Sequence, residues 1–115
     1  MRFRILSPTF VLLGLGYTMK LSKNSVNKIC SYFAGKPVKK AFLFGSYVRG
    51  EGTARSDIDI LVELDYGQHI GLLFVQMKLD LEEILQKEVD LVSSNAVSKY
   101  LQPAIDSEKE LIYAR

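Results

Sequence analysis

Apolar positions along the chain switch between the spacing of helices and the spacing of strands. From Ser22 to Phe33 they recur every three or four residues, which predicts an amphipathic helix that ends before Gly35. Residues 38–44, VKKAFLF, then predict a strand that becomes wholly apolar in its second half. Residues 57–64, DIDILVEL, predict a second strand, because isoleucine, valine and leucine alternate there with other side chains.

The remaining pattern completes a small α/β or α+β domain. A short helix over 46–50 and a loop over 51–56 are predicted between the two strands. A long helix follows over 70–87 and a third strand over 88–93. Next come a short helix over 96–101, before Pro103, a helical turn that includes Ile105, and a last strand-like or docked segment over 109–115. Because helices alternate with strands, we expect a small, mixed β-sheet flanked by helices.

Composition adds few constraints to this picture. The chain has 115 residues, 48% of them hydrophobic and 24% charged, which fits one globular domain. Fifteen basic and 13 acidic residues give a formal charge of +2, which is too small to indicate nucleic-acid binding. Cys30 is the single cysteine, so no intramolecular disulfide forms, and a reducing cytoplasmic location is expected.

The first eighteen residues differ from the rest. They combine two arginines with a short apolar run that Ser7, Pro8 and Thr9 interrupt, and no small-residue cleavage pattern follows. We interpret residues 1–18 as an N-terminal extension before a domain over 19–115. A short strand or arm is the next alternative, and a signal peptide is the last. The run is too short for a transmembrane helix, which needs about 20 apolar residues.

A pair of carboxylates stands on the second predicted strand. Asp57 and Asp59 are two residues apart, so both side chains point to the same side. At ~5–6 Å and an effective dielectric of ~20, such charges repel by about 3 kcal/mol. A divalent cation removes that repulsion, and oxygen ligands suit Mg²⁺ or Mn²⁺. The alternative is a solvated strand end with no function.

Residues that suit an anion precede this pair. Gly45 and Ser46 follow the first strand, where a glycine allows a ligand close to the backbone and a hydroxyl can bind phosphate. Arg49 lies one turn later and could pair with phosphate. Taken singly, each has a plain alternative, namely a capped turn and a surface charge. Together they predict a phosphate cradle that faces the carboxylates.

A third carboxylate, Asp90, interrupts an otherwise apolar strand, VDLV. A buried acid needs a partner or a metal ion. If this strand lies beside the strand of Asp57 and Asp59, three carboxylates surround one place. Such a set can hold two metal ions ~3.5–4 Å apart for an in-line displacement at phosphorus.

The spacing of these residues resembles a known signature. Gly45-Ser46, ten intervening residues and Asp57-Ile58-Asp59 are similar to the Gly-Ser-x10-Asp-x-Asp pattern of polymerase-β-like nucleotidyltransferases. The string GSYVRGEGTARSDIDILV resembles the minimal nucleotidyltransferases, the small stand-alone members of that superfamily. The resemblance extends from Met19 to the last residue and implies the polymerase-β-like fold.

The resemblance implies a role for each matching residue. Gly45 and Ser46 would bind the triphosphate of ATP, with Arg49 and Ser56 assisting. Asp57 and Asp59 would coordinate two Mg²⁺ ions, with Mn²⁺ as an alternative metal. Asp90 would hold the metal that activates the attacking hydroxyl. All three aspartates would thus be catalytic.

The resemblance also implies a partner. Such proteins often pair with a HEPN-domain RNase toxin, and some act as antitoxins by transferring AMP from ATP to a toxin tyrosine. An apolar second side of the long helix is a candidate docking face, with packing against residues 1–18 or another helix as the alternative: Leu72, Val75 and Leu79. Two rival functions remain, a non-catalytic antitoxin that only binds its partner and, further off, a metal-dependent glycosyltransferase.

Overall fold

The structure is a computed structural model that describes residues 21–53 and 56–115. The expectations for residues 1–18 therefore lie outside the described residues. Within these described residues, four helices and four strands follow one another, with one 3₁₀ turn at Ser94–Ala96. The helices are α1 (Lys23–Phe33), α2 (Ser46–Arg49), α3 (Leu73–Leu85) and α4 (Gln102–Glu108). The strands are β1 (Val38–Phe44), β2 (Ile58–Leu64), β3 (Val89–Ser93) and β4 (Glu110–Ala114).

The four strands form one mixed sheet in the order β3-β2-β1-β4. Strand β1 is antiparallel to both β2 and β4, whereas β2 and β3 are parallel. The predicted mixed sheet is therefore confirmed. The parallel pair is joined by α3, as a parallel connection between neighbouring strands requires.

The core lies between one face of this sheet and helices α1 and α3. The predicted apolar face of β2 is fully part of it, with Ile58, Ile60 and Val62 at 0% exposure. Ile29 and Phe33 of α1 pack against this cluster, and Met77 and Leu81 do so from α3. Ser22 caps α1 as predicted, because its hydroxyl accepts a hydrogen bond from the Ser25 amide.

Two helix boundaries differ from the predictions. The expected helix over 96–101 is wrong: α4 begins at Gln102 and contains Pro103 in its first turn. Proline suits that position because the first helical N–H groups need no intrahelical partner. Helix α3 begins at Leu73 rather than at residue 70, since Gly71 adopts a positive φ of 46° in the preceding turn.

Helix α3 has the second apolar side that its sequence predicted. Leu72, just before the helix, is 86% exposed, and Val75 and Leu79 are 53% and 50% exposed. Packing of this side against another described helix is therefore not observed. Within the described part of the chain, no helix has the length and apolar character needed to cross a membrane.

Candidate active site

At one edge of the sheet, the C-terminal end of β1 lies with the N-terminal ends of the other three strands. Because β1 runs antiparallel to β2 and β4, its C-terminal end lies beside their N-terminal ends. Strand β3 is parallel to β2, so its N-terminal end lies there too. This arrangement brings the segment after Phe44 to the same edge as the starts of the strands that carry Asp59 and Asp90.

The sheet register aligns the carboxylates. Asp59 and Asp90 are register partners on β2 and β3, and Phe44 is the partner of Asp59 on β1. The adjacency of the two aspartate strands, on which the three-carboxylate prediction depended, is therefore observed. Asp57 and Asp90 are exposed, whereas Asp59 is partly buried. Asp90 is thus not the buried acid that its apolar neighbours suggested.

The environment of Asp59 disfavours its charged form. Burial, together with the negative charges of Asp90 and Asp57, raises the pKa of Asp59 to about 6, against an opposing effect of Arg49. Desolvation and like charges both favour the neutral acid. A cation at this place would remove the penalty, since it supplies the missing positive charge.

Gly45 lies against this carboxylate. A Cβ atom on residue 45 would be 2.1 Å from Oδ2 of Asp59, well inside contact distance. Gly45 also has φ 80° and ψ −156°, a conformation essentially restricted to glycine. The turn between β1 and α2 therefore requires glycine for both its backbone conformation and its approach to Asp59.

Arg49 is held by two carboxylates. Its Nε donates to Glu51 at 3.0 Å, and its Nη1 donates to both oxygens of Glu108 at 3.0 and 3.2 Å. Oε2 of Glu108 also accepts a hydrogen bond from the Gly45 amide at 2.7 Å. Glu108 thus joins two of the four residues that were predicted to bind phosphate.

Hydrogen bonds connect Thr53 to Tyr47 and to Ser56, the residue before Asp57. The hydroxyl of buried Tyr47 donates to the Thr53 carbonyl at 2.9 Å, and Ser56 Oγ accepts from the Thr53 amide at 2.9 Å. Tyr47 is therefore a packed residue of the core. The contact of Ser56 shows that this hydroxyl stabilises the loop, whereas its predicted part in nucleotide binding stays a prediction.

The carboxylate oxygens are the type of ligand that a hard cation prefers, but their side chains do not yet point to one place. Among the described residues, no three Asp, Glu, His or Cys side chains converge as a metal site. The side chains of Asp57, Asp59 and Asp90 would therefore have to turn towards one point. Their backbone positions allow this, because Asp59 and Asp90 are paired in register and Asp57 acts electrostatically on Asp59.

Glu108 is the site residue that sequence reasoning missed. It lies 59 positions from Arg49, in a segment interpreted only as a helical turn. The signal is the pairing of β4 with β1: Leu43 pairs with Glu110, so the same register continued by two residues places Glu108 opposite Gly45. A prediction of which strand β4 joins would have located it.

Gly45 and Gly50 both have a positive φ, but of the two Gly45 combines a conformation restricted to glycine with a close contact to Asp59, so a substitution should cost more at Gly45. Gly50 has φ 75°, and a Cβ there would meet nothing within 4 Å. We expect Gly50→Ala to lower the free energy of unfolding by about 1 kcal/mol and Gly45→Ala to lower it by at least about 2 kcal/mol. Urea denaturation of both variants measures this, and equal losses would contradict the proposed contact.

The pKa of Asp59 predicts how metal-free stability depends on pH. Since folding raises this pKa from 3.8 to about 6, the folded state holds the proton more tightly than the unfolded chain. The resulting stabilisation is present at low pH and is lost as the pH rises through about 6. At pH 7.5 in EDTA, Asp59→Asn should stabilise the fold by about 1–2 kcal/mol, because solvent screens part of the repulsion.

The same comparison at about pH 4.5 provides the control, because the carboxyl group is then largely neutral in the folded protein. The stability difference between the variant and the wild type should shrink there. A stabilisation that is equal at both pH values, or that is absent at pH 7.5, would contradict the repulsion.

Comparison with known proteins identifies relatives that are described as nucleotidyltransferases or adenylyltransferases. The sequence model described as "Polymerase beta, Nucleotidyltransferase" matches residues 27–115. A protein of Methanocaldococcus jannaschii named "Putative protein adenylyltransferase MJ0435" is 46% identical over 71 residues, which cover 62% of this chain and 75% of the relative. Protein adenylyltransferase MntA of Thermococcus cleftensis is 34% identical over 76 residues, covering 66% and 74% respectively.

A solved structure has the same fold. A chain from a crystal structure of a toxin–antitoxin with AMP-PNP superposes with a TM-score of 0.67 at 25% identity, covering 78% of this chain and 73% of that one. The family match spans all four strands and every residue of the candidate site. This chain therefore belongs to the polymerase β nucleotidyltransferase family.

Proposed function

We propose that this protein transfers AMP from ATP to a tyrosine hydroxyl of a partner HEPN RNase toxin and thereby acts as its antitoxin. The observation that carries the proposal is the shared edge of the sheet. There the register pairs Asp59 with Asp90, and the Gly45 turn lies in direct proximity to Asp59. A nucleotidyl transfer needs acidic metal ligands and a phosphate-binding turn side by side.

The nucleotide half of the proposal rests on the turn between β1 and α2. Gly45 allows the turn to lie against Asp59, and Ser46 supplies a hydroxyl beside it that is suited to bind a phosphate oxygen. Arg49 has five N–H donors, and its contacts with Glu51 and Glu108 engage only Nε and Nη1. Its remaining donors are suited to a phosphate of ATP.

The acidic half would hold magnesium. Asp57, Asp59 and Asp90 offer the hard oxygen donors that Mg²⁺ prefers, with Mn²⁺ as a substitute. Bound Mg²⁺ would supply charge neutralisation at the α-phosphate and at the attacking oxygen. Asp90 is exposed, so its carboxylate is accessible to an incoming hydroxyl and suited to accept the tyrosine proton while pyrophosphate leaves.

The protein acceptor is supported by the relatives. One is named a protein adenylyltransferase, and a structural neighbour belongs to a toxin–antitoxin solved with an ATP analogue. The HEPN toxin and the tyrosine come from the family resemblance of the GSYVRGEGTARSDIDILV string. A reducing cytoplasmic location fits this function, since both ATP and an RNase toxin act there.

Transfer of label from [α-³²P]ATP to the co-purified partner tests the proposal. With Mg²⁺ present, we expect label on the partner and a loss of about 10²–10³-fold in rate for Asp57→Asn, because charge stabilisation in the transition state is removed. Glu63→Gln is the matched control, since it removes one charge from the same strand away from the site. Its rate should stay close to that of the wild type.

Two results would contradict the proposal. No label with any nucleotide, despite a stable complex with the toxin, would favour an antitoxin that acts by binding alone. Equal rates for Asp57→Asn and the wild type would place the chemistry elsewhere in the molecule.

A further inference from the structure

Glu108 connects the C-terminal part of the chain to the candidate site. Its carboxylate accepts one hydrogen bond from the Gly45 amide at 2.7 Å and two from Arg49 Nη1 at 3.0 and 3.2 Å. The side chain is 24% exposed, against 47% for Arg49. The glutamate is therefore the better buried partner, and it contacts both residues at once.

We infer that Glu108 is a positioning residue for nucleotide binding: it fixes the Gly45 turn and orients Arg49 towards the phosphates. The inference deepens the proposed function and rests on it. Glu108 acts through its two neighbours rather than by touching the nucleotide. Its role is thus distinct from the roles of the three aspartates.

The turn needs this support because of its backbone. Gly45 has φ 80° and ψ −156°, and glycine loses the most conformational freedom on folding. A charge-assisted hydrogen bond from its amide to a carboxylate offsets part of that loss. The bond holds in one orientation the amide of Gly45, the residue that lies against Asp59.

Arg49 needs the support because a long, half-exposed side chain has many rotamers. One exposed ion pair restrains such a side chain weakly. Here Glu51 accepts from Nε while Glu108 accepts from Nη1, so carboxylates on two segments fix the plane of the guanidinium. A guanidinium with a fixed plane binds phosphate with less loss of entropy.

Glu108 is itself rigidly placed. It ends α4, and the next residues form β4, which is hydrogen-bonded to β1. Lys109 lies over the Phe42 ring at 4.5 Å and pairs with Asp106 at 3.0 Å. Glu108 is therefore held by a strand that follows it almost directly and belongs to the sheet.

A competing interpretation predicts that removal of the Glu108 carboxylate has the opposite effect on ATP binding. A carboxylate on Gly45 and Arg49 takes donors that a phosphate could use, so Glu108 would compete with ATP. Its removal would then tighten ATP binding. A positioning role requires that the removal weaken it.

The test compares Glu108→Gln with Glu110→Gln, an equal change of charge two residues away at an exposed position of β4. For Glu108→Gln we expect the KM for ATP to rise about tenfold and kcat to change less than about threefold, because one charged pair orients the binding groups. The Gly45 amide should exchange its hydrogen faster by NMR. Glu110→Gln should match the wild type in all three measurements.

Each other outcome overturns the inference. An unchanged or lower KM for ATP in Glu108→Gln excludes positioning, and so does unchanged exchange of the Gly45 amide. Equal defects in both variants would indicate a general effect of charge. Failure of the proposed function itself would be recognised in the wild type, which would then bind no ATP and transfer no AMP. That result would remove both proposals together.

Discussion

Asp59 and Asp90 are held side by side by the parallel ladder between β2 and β3, and neither backbone can move away without breaking that ladder. The buried apolar face of β2 fixes the strand further, since a shift by one residue would expose Ile58, Ile60 and Val62. The packed core therefore keeps Asp59 and Asp90 close enough to repel each other at the edge of the sheet. The raised pKa of Asp59 is the physical expression of this constraint.

The charges of the other site residues also act on the Asp59 carboxylate. Arg49 lowers the energy of the Asp59 carboxylate, but Glu51 and Glu108 both pair with that arginine. Among the described residues at this edge, the carboxylates therefore exceed the positive charge beside them. Under the proposed function, a divalent cation bound with the nucleotide would correct the excess. Binding of the cation would then relieve the repulsion before the transfer step begins.

Much of this arrangement could be predicted from local patterns. The Ser22 cap, the strand bounds of β1 and the alternation along β2 follow from side-chain period alone, and all are observed. The position of α4 was mispredicted because Pro103 was taken as a boundary, although proline is accepted in a first helical turn. Glu108 was missed because its contacts depend on the pairing of β4 with β1, which no local pattern encodes.

The most direct test of the account is Mn²⁺ binding measured by calorimetry at pH 7.5 and pH 5 in buffers of different ionisation enthalpy. Because the pKa of Asp59 is about 6, its carboxyl group is largely protonated at pH 5. Mn²⁺ binding at pH 5 should therefore release protons and be about tenfold weaker than binding at pH 7.5. Asp59→Asn and Asp90→Asn should lose most of the affinity, whereas Glu63→Gln should keep it. Equal affinity at both pH values, or full affinity without either aspartate, would contradict the claim that this carboxylate row is a cation site.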